Sequence, residues 1–473
     1  MKNLKKETII NLIVFVLFAV LTFIVGLHHE PWADEAQAWL IARDCTIPEM
    51  IFHVLKYEGH PILWFAILRF FNFLHYPYQL LFIIPWIAVC ISVYLILFKS
   101  KLPPIIKYLF PFSYFVFYQS AVIARNHSLV LMILSVIAAF YKRRLAHPYI
   151  YSLLLILTSS ISAYSFVIAF VLLGFFIGDI FRSKNFTIKS LLPPLVVLIC
   201  MSATALCLIK PADYAFNSGL NLMRLNPFRI LYIVTRGYFN TPPFSITLII
   251  QMLLVSALYI LTAKTFCKTK YQLAFFSGIN LMLAVAITAL VCKPWHAAYF
   301  IITLVFTCWI LTGENETDKY QFKQHKYFYI LMLFILLVHI NWSYKSSFFD
   351  IKNNYSASKA AADFIKENNL QKLGIYGIGY KTVALQPYFT TNLYQNYQNK
   401  SYWQWNKAFY RKQQDDNFQD KPVIIMDIRA CDSYFPKLIT KLQEDYNTYF
   451  FNGSLFAKGK PEEEESFMLL IKK

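Results

Sequence analysis

The sequence predicts an α-helical polytopic membrane protein with a small C-terminal α/β extracytoplasmic domain, and three observations predict it. Apolar runs of about 17–22 residues recur through the first two thirds of the chain, long enough to cross a hydrocarbon core of about 30 Å. Short Lys/Arg clusters separate them, as the bias toward positive cytoplasmic loops requires. From Asn341 onward the pattern shifts to short helical and strand signals of a soluble fold. The chain is 57% hydrophobic and 18% aromatic over 473 residues, more apolar side chain than a soluble core uses.

The net charge of +19 raises the question of nucleic acid, and its distribution answers it. Residues 343–473 hold 18 basic and 14 acidic residues, which leaves +15 for the short clusters between apolar runs. No helix-turn-helix, zinc-finger or basic-zipper pattern accompanies them, so no nucleic-acid partner is expected; the bilayer is. Most of the eight cysteines lie in or beside apolar runs, without metal spacing or a disulfide framework. Cys45 and Cys431 are the two that could face an oxidising compartment and pair.

The elements follow in order. Lys2, Lys5 and Lys6 hold the N-terminus inside, so a span at about 8–27 delivers His28 outward. Residues 1–27 resemble a signal peptide but lack a small-residue cleavage site, so they read as a retained span. Residues 60–75 carry Arg69, Asn72 and His75 on one stripe, which predicts an amphipathic helix in the interface rather than a span. Spans at about 78–98 and 103–119 flank an inside turn marked by Lys99, Lys101 and Lys107. Residues 120–127 then face outside, and Lys142, Arg143 and Arg144 inside. Residues 149–181 hold two short spans, followed by spans at about 190–209, 246–263, 271–291, 296–312 and 327–342. Eleven spans result, with a large outside loop at 210–245 and an outside C-terminal region. The division is a transmembrane domain over 1–342 and an α/β domain over 343–473.

In the second domain, Ser356–Asn368 predicts a helix capped by Ser356. Leu373–Tyr376, Val423–Met426 and Phe467–Ile471 predict strands, Ser433–Tyr446 a helix, and Glu462–Glu465 a solvated loop. Gly374, Gly377 and Gly379 do not have dinucleotide-binding spacing.

Chemistry concentrates at residues 28–37, His-His-Glu-Pro-Trp-Ala-Asp-Glu-Ala-Gln, directly after the first span. Acids at a span exit call for a functional or a capping explanation. A carboxylate there can activate a hydroxyl attacking a sugar's anomeric carbon, or hold a divalent cation against a phosphate. Asp34 and Glu35, with Glu30, His28 and His29 nearby, supply that inventory. The competing explanation is structural: Asp34 with Gln37 resembles a capping box opening a helix over Ala33–Asp44. Elsewhere outside, Arg125, Asn126 and His127 form one short loop, and Lys293, Pro294, Trp295 and His296 another. Arg and Lys suit phosphate recognition; snorkelling and interfacial anchoring are the plainer alternatives.

Trp32-Ala-Asp-Glu-Ala36, followed by Glu58-Gly-His-Pro-Ile-Leu-Trp64, resembles the opening of the C-type (GT-C) superfamily of membrane glycosyltransferases. Protein mannosyltransferases, aminoarabinose transferases and oligosaccharyltransferases belong to it. The resemblance extends to the architecture, with two juxtamembrane helices in the first outside loop, but its specific motifs fall in roughly the first 130 residues. It implies transfer of a sugar from a polyprenyl-phosphate carrier, usually with inversion, to an envelope glycan, lipid or protein acceptor. Asp34 becomes the catalytic base with Glu35 in support. Arg125, Lys293 and His296 become donor-phosphate ligands, and His60, Asn126 and His127 substrate contacts. Gly59, His60 and Pro61 would shape the start of the second juxtamembrane helix.

One departure matters. The second outside loop, Gln119-Ser-Ala-Val-Ile-Ala-Arg125-Asn-His127, lacks the acid that many members carry there. A metal is therefore disfavoured, and no cofactor is expected to be required. The Lys-, Asn- and Ile-rich composition and the lack of targeting elaborations suggest a bacterial inner membrane, with the site and C-terminal domain facing the periplasm or exterior. Two other classes stay open: a transporter or flippase of lipid-linked sugars, and a non-catalytic envelope assembly protein.

Overall fold

The computed structural model describes residues 2–183, 187–216, 221–240, 245–290, 293–315, 325–415, 420–428 and 444–473. Eight of its helices are long and apolar enough to cross a membrane. They lie within Lys5–His28, Tyr78–Lys99, Ala163–Arg182, Ile188–Leu208, Ile246–Phe266, Lys270–Ala289, Pro294–Glu314 and Lys326–Lys352. Pro294–Glu314 is the central one, with 89% of its apolar window buried. By contrast, Lys5–His28 and Ile188–Leu208 bury only 28% and 22%, and turn Leu12, Ile13, Val16, Leu195 and Ile199 outward. Apolar faces of that size are matched by lipid rather than water, so the protein is an integral membrane protein.

Three of the eleven expected spans are not long helices. The run at 103–119 breaks into Pro104–Leu109, a tight turn at Phe110–Phe112, and Tyr114–Phe117. Pro111 offers no N–H to continue a helical ladder there. His127–Phe140 and Pro148–Ser159 have 14 and 12 residues, roughly 20 Å of helix against the ~30 Å of hydrocarbon. Residues 60–75 do contain a helix too short to span, Leu63–Phe73. Its polar stripe is not simply solvated, because Arg69 donates to the carbonyls of Ala42 and Cys45 at the end of the neighbouring Ala33–Asp44 helix.

The last long helix runs to Lys352 and passes residue 343 without a break. Beyond it, helix Ser358–Glu367 begins where expected, with Ser356 Oγ accepting from Ser358 N (3.1 Å). The strands are β1 Ile375–Ile378, β2 Val423–Asp427, β3 Tyr446–Phe451, β4 Ser454–Ala457, β5 Lys460–Glu464 and β6 Phe467–Lys472. Four form one sheet in the order β1-β2-β6-β3, parallel between β1 and β2 and antiparallel elsewhere. Every residue of β1 and β2 is buried, which accounts for the apolar run Val423–Met426 in β2, although β2 ends on the buried Asp427. The expected helix at Ser433–Tyr446 lies largely outside the described residues, as does Cys431; Tyr446 itself opens β3.

The acidic run corrects an expectation. Glu462–Glu464 belong to β5, paired with β4, and Glu465 is fully buried rather than solvated. Both its carboxylate oxygens accept from Ala33 N (3.1 and 3.3 Å), and Oε1 accepts from Ser356 Oγ (2.8 Å). A carboxylate at a helix N-terminus meets unpaired N–H groups and the positive end of the dipole. The C-terminal region thereby grips the start of helix Ala33–Asp44.

Candidate functional site

Helix Ala33–Asp44 occupies the predicted residues, but its cap is built differently from the prediction. Glu35, not Asp34, reaches back, accepting from Trp32 N (3.1 Å). Gln37 instead donates to Glu58 Oε1 and to the Trp403 carbonyl, each at 2.8 Å. Asp34 is thus freed from capping and points into a cavity.

Glu35 belongs to a buried network behind that helix. It accepts from Ala124 N and lies 3.1 Å from His29 Nε2; His29 Nδ1 lies 3.0 Å from Asp350 Oδ2. Tyr118 OH donates to the same Asp350 oxygen (2.9 Å). Burial alone favours a neutral His29, but Glu35 and Asp350 outweigh it and push its pKa up to about 10. An imidazolium between two carboxylates therefore ties together the exit of the first helix, the start of Ala33–Asp44, the loop before Arg125 and the end of the last long helix. Glu30 turns away as well, accepting from Ser358 Oγ and Lys359 N at the start of helix Ser358–Glu367. Burial raises its pKa to about 7 against those bonds.

The cavity has a volume of about 170 Å³ and lies between helix Ala33–Asp44, residues 57–65, the loop at 125–126 and residues 380 and 405 of the C-terminal region. Asp34, Glu58, His60, Arg125, Asn126 and Tyr380 supply its polar wall, and Trp64, Phe65, Tyr57, Tyr214 and Trp405 its aromatic wall. Asp34 Oδ2 is paired with Arg125 Nη1, and Asp34 Oδ1 accepts from Tyr380 OH (2.8 Å). Burial would raise the Asp34 pKa, but Arg125 and Tyr380 together outweigh it and hold the carboxyl below its usual range. Arg125 also lies 5.8 Å from the Trp32 ring centroid, within cation–π range.

Glu58 ends the short helix Leu55–Glu58, and Gly59 reverses the chain at φ 73°, a left-handed conformation that favours glycine. A Cβ at Gly59 would stand 3.0 Å from Lys210 Nζ, which donates to the Tyr57 carbonyl (2.7 Å). Glu58 Oε1 accepts from Gln37 and from Trp405 Nε1 (3.0 Å). Burial pushes its carboxyl up to about 7, against Gln37 and Lys210, and Asp34 adds repulsion. Burial likewise lowers Lys210 to about 8, with Glu58 opposing. One cavity therefore holds two carboxyl groups displaced in opposite directions.

Asn126 Nδ2 donates to the Ile161 carbonyl (3.0 Å) and lies 3.3 Å from His60 Nδ1, so that ring nitrogen accepts. Burial, with Arg125 and His296 nearby, pushes His60 down to about 3, a neutral ring. Asn126 Oδ1 is buried without a partner among the described residues.

Of the eight expected site residues, Asp34, His60, Arg125 and Asn126 line the cavity together. Glu35, His127, Lys293 and His296 do not. His127 packs its ring 5.7 Å from Tyr299 and 6.3 Å from His296, and both its nitrogens lack hydrogen-bond partners among the described residues. His296 Nδ1 accepts from Lys293 N (3.2 Å). The exposed Lys293 ammonium stands 6.0 Å from Trp295, which packs 5.6 Å from Trp32. Among the described residues, no group of three or more His, Cys, Asp or Glu is arranged to hold a metal ion. The residues not anticipated are Gln37, Glu58, Lys210, Tyr380 and Trp405. Glu58 had a signal, its place before Gly59-His60-Pro61; the aromatic density of residues 388–410 was a fainter one.

Fold and site together define a class: an integral membrane protein in which helix Ala33–Asp44 brings a carboxylate to the Arg125 guanidinium in a cavity that the C-terminal region helps to line. In comparison with known proteins, the chain matches no family model and no curated protein.

Proposed function

We propose that the protein is a membrane glycosyltransferase of the GT-C kind, moving a sugar from a polyprenyl-phosphate carrier to an envelope acceptor on the extracytoplasmic side. The observation that carries this reading is the Asp34–Arg125–Tyr380 cluster in a cavity beside the exit of the first long helix. A carrier lipid held in the bilayer presents its phosphate at that level.

The pairing suggests an order of events. Arg125 is a planar donor suited to phosphate oxygens. When the donor's phosphate takes the guanidinium, Asp34 Oδ2 loses its cation and its pKa rises toward that of a useful base. Tyr380 keeps the carboxylate oriented through Oδ1. The acceptor oxygen then bonds to the anomeric carbon as its proton passes to Asp34. The bond from that carbon to the phosphate oxygen breaks, and its electron pair leaves on the polyprenyl phosphate beside Arg125. Neutral His60 and Asn126 Oδ1, which has no partner among the described residues, are placed to hold sugar hydroxyls. Lys293 and His296 stand outside the cavity and would act only on the approaching headgroup.

The test compares envelope glycans by mass spectrometry in a null strain complemented with wild type or Asp34→Asn at matched protein levels. The expected result is loss of the same sugar in the null and in Asp34→Asn, with accumulation of the polyprenyl-phosphate donor. Restoration of the wild-type glycan by Asp34→Asn refutes the proposal.

A further inference from the structure

A second cleft adjoins the first and shares part of its wall. It has a volume of about 200 Å³ and lies between the segment 49–58 and residues 400–406. Tyr57, Glu58 and Trp405 line both spaces. Its own wall adds Tyr402, Trp403, Gln404 and Asn406.

The chemistry of that wall discriminates between ligand classes. Lys400 Nζ is paired with Glu49 Oε1 (2.8 Å), and beyond that pair the lining offers a phosphate one imidazole, His53, and no second Lys or Arg. No β-strand lines it, so it offers no edge to an extended peptide. What remains is amphipathic aromatic surface and side-chain amides. Asn406 Nδ2 reaches Gln404 Oε1, and Gln404 Nε2 the Tyr397 carbonyl, only at 3.5 Å, the outer limit of a hydrogen bond. Asn406 Oδ1 is held by Phe409 N (2.8 Å), but the two amide NH2 groups can exchange partners at little cost. Both bonds that Glu58 accepts from the described residues end on Oε1, which leaves Oε2 for a ligand. A pyranose matches such a wall, with C–H faces for the rings and a rim of hydroxyls for the amides and carboxylate.

We propose that this second cleft is the acceptor subsite and binds a neutral sugar, one hydroxyl of which Glu58 holds at the shared wall facing the Asp34 cavity. The word acceptor rests on the glycosyl-transfer reading above; affinity for a sugar does not. The placement follows from the lining: Glu58 belongs to both spaces and Asp34 to the first, so a hydroxyl held by Glu58 stands at the edge of the Asp34 cavity.

The test uses the full chain in lipid nanodiscs without donor. It is titrated with glucose, galactose, N-acetylglucosamine and their methyl glycosides, and in parallel with a neutral tripeptide, by saturation-transfer NMR. At least one sugar is expected to bind, about tenfold more weakly in Trp405→Ala for loss of an aromatic wall, and more weakly in Gln404→Ala. Because Trp405 also bonds Glu58, Gln404→Ala carries the test if Trp405→Ala does not fold. Absence of sugar binding by wild type, binding unchanged in the variants that fold, or binding of the tripeptide alone overturns the proposal. Sugar binding that persists while Asp34→Asn restores the glycan in cells removes the transfer reading and leaves the subsite standing.

Discussion

Substituting His29 tests the frame that aims Asp34. The His29 side chain is almost fully buried between Glu35 and Asp350. The rise of its pKa from 6.5 to about 10 corresponds to roughly 5 kcal/mol of preferential protonation in the folded state. At pH 7 about 4 kcal/mol of that is realised, by linkage between the two protonation equilibria. The removal of one member of a buried ion pair independently costs about 3–5 kcal/mol, because the remaining charges stay uncompensated. His29→Gln keeps a polar side chain of similar reach and removes the charge. We expect it to lower the unfolding free energy by about 3–5 kcal/mol at pH 7. The sign with pH follows from a raised histidine. Its contribution is complete below about 6.5 and is lost as pH rises through about 10. The assay is denaturant unfolding of the detergent-solubilised protein, wild type against His29→Gln, from pH 6 to 10. A stability difference that is absent at pH 7, or that fails to shrink toward pH 10, refutes the reasoning.

Three further outcomes follow from the same geometry. Glu465→Ala leaves Ala33 N and the Ser356 hydroxyl buried without their acceptor; unfolding should show a loss of about 1–3 kcal/mol, with Glu465→Gln losing less. Arg125→Lys keeps the charge but not the planar fork, so KM for a polyprenyl-phosphate sugar should rise about tenfold to a hundredfold in a reconstituted transfer assay, for one charged hydrogen bond. Sugar affinity of the second cleft should increase as pH rises through about 7, where Glu58 ionises and becomes a full acceptor, and Glu58→Gln should flatten that dependence in the same NMR titration.

Helix Ala33–Asp44 illustrates what was legible and what was not. Its bounds follow from local signals, acids in the first turn and Ala and Leu within, and the structure reproduces them. Which acid caps it did not follow, because Asp34 and Glu35 are equivalent in sequence until their distant partners are known. Arg125 and Tyr380 claim Asp34, while His29 and Ala124 claim Glu35. Half of the expected site residues converge on one cavity for a related reason: the short motifs at 28–37, 58–64 and 125–126 are brought together by helices whose apolar patterns were readable. Lys293 and His296 carried a suitable charge or ring, but neither lines the cavity; Trp295 between them packs against Trp32.

The acidic run at 462–465 marks the limit most clearly. By composition it is a solvated loop. In the fold Glu465 is buried, because a helix N-terminus more than 400 residues away supplies the N–H groups that make burial tolerable. The sequence by itself determined what depends on near neighbours along the chain: the long apolar helices, the buried strands, and the start of the acid-bearing helix. Only the tertiary structure decided which carboxylate faces the cavity and which holds the scaffold. Burial and pairing set a carboxylate's role, and both are properties of partners that sequence order does not reveal.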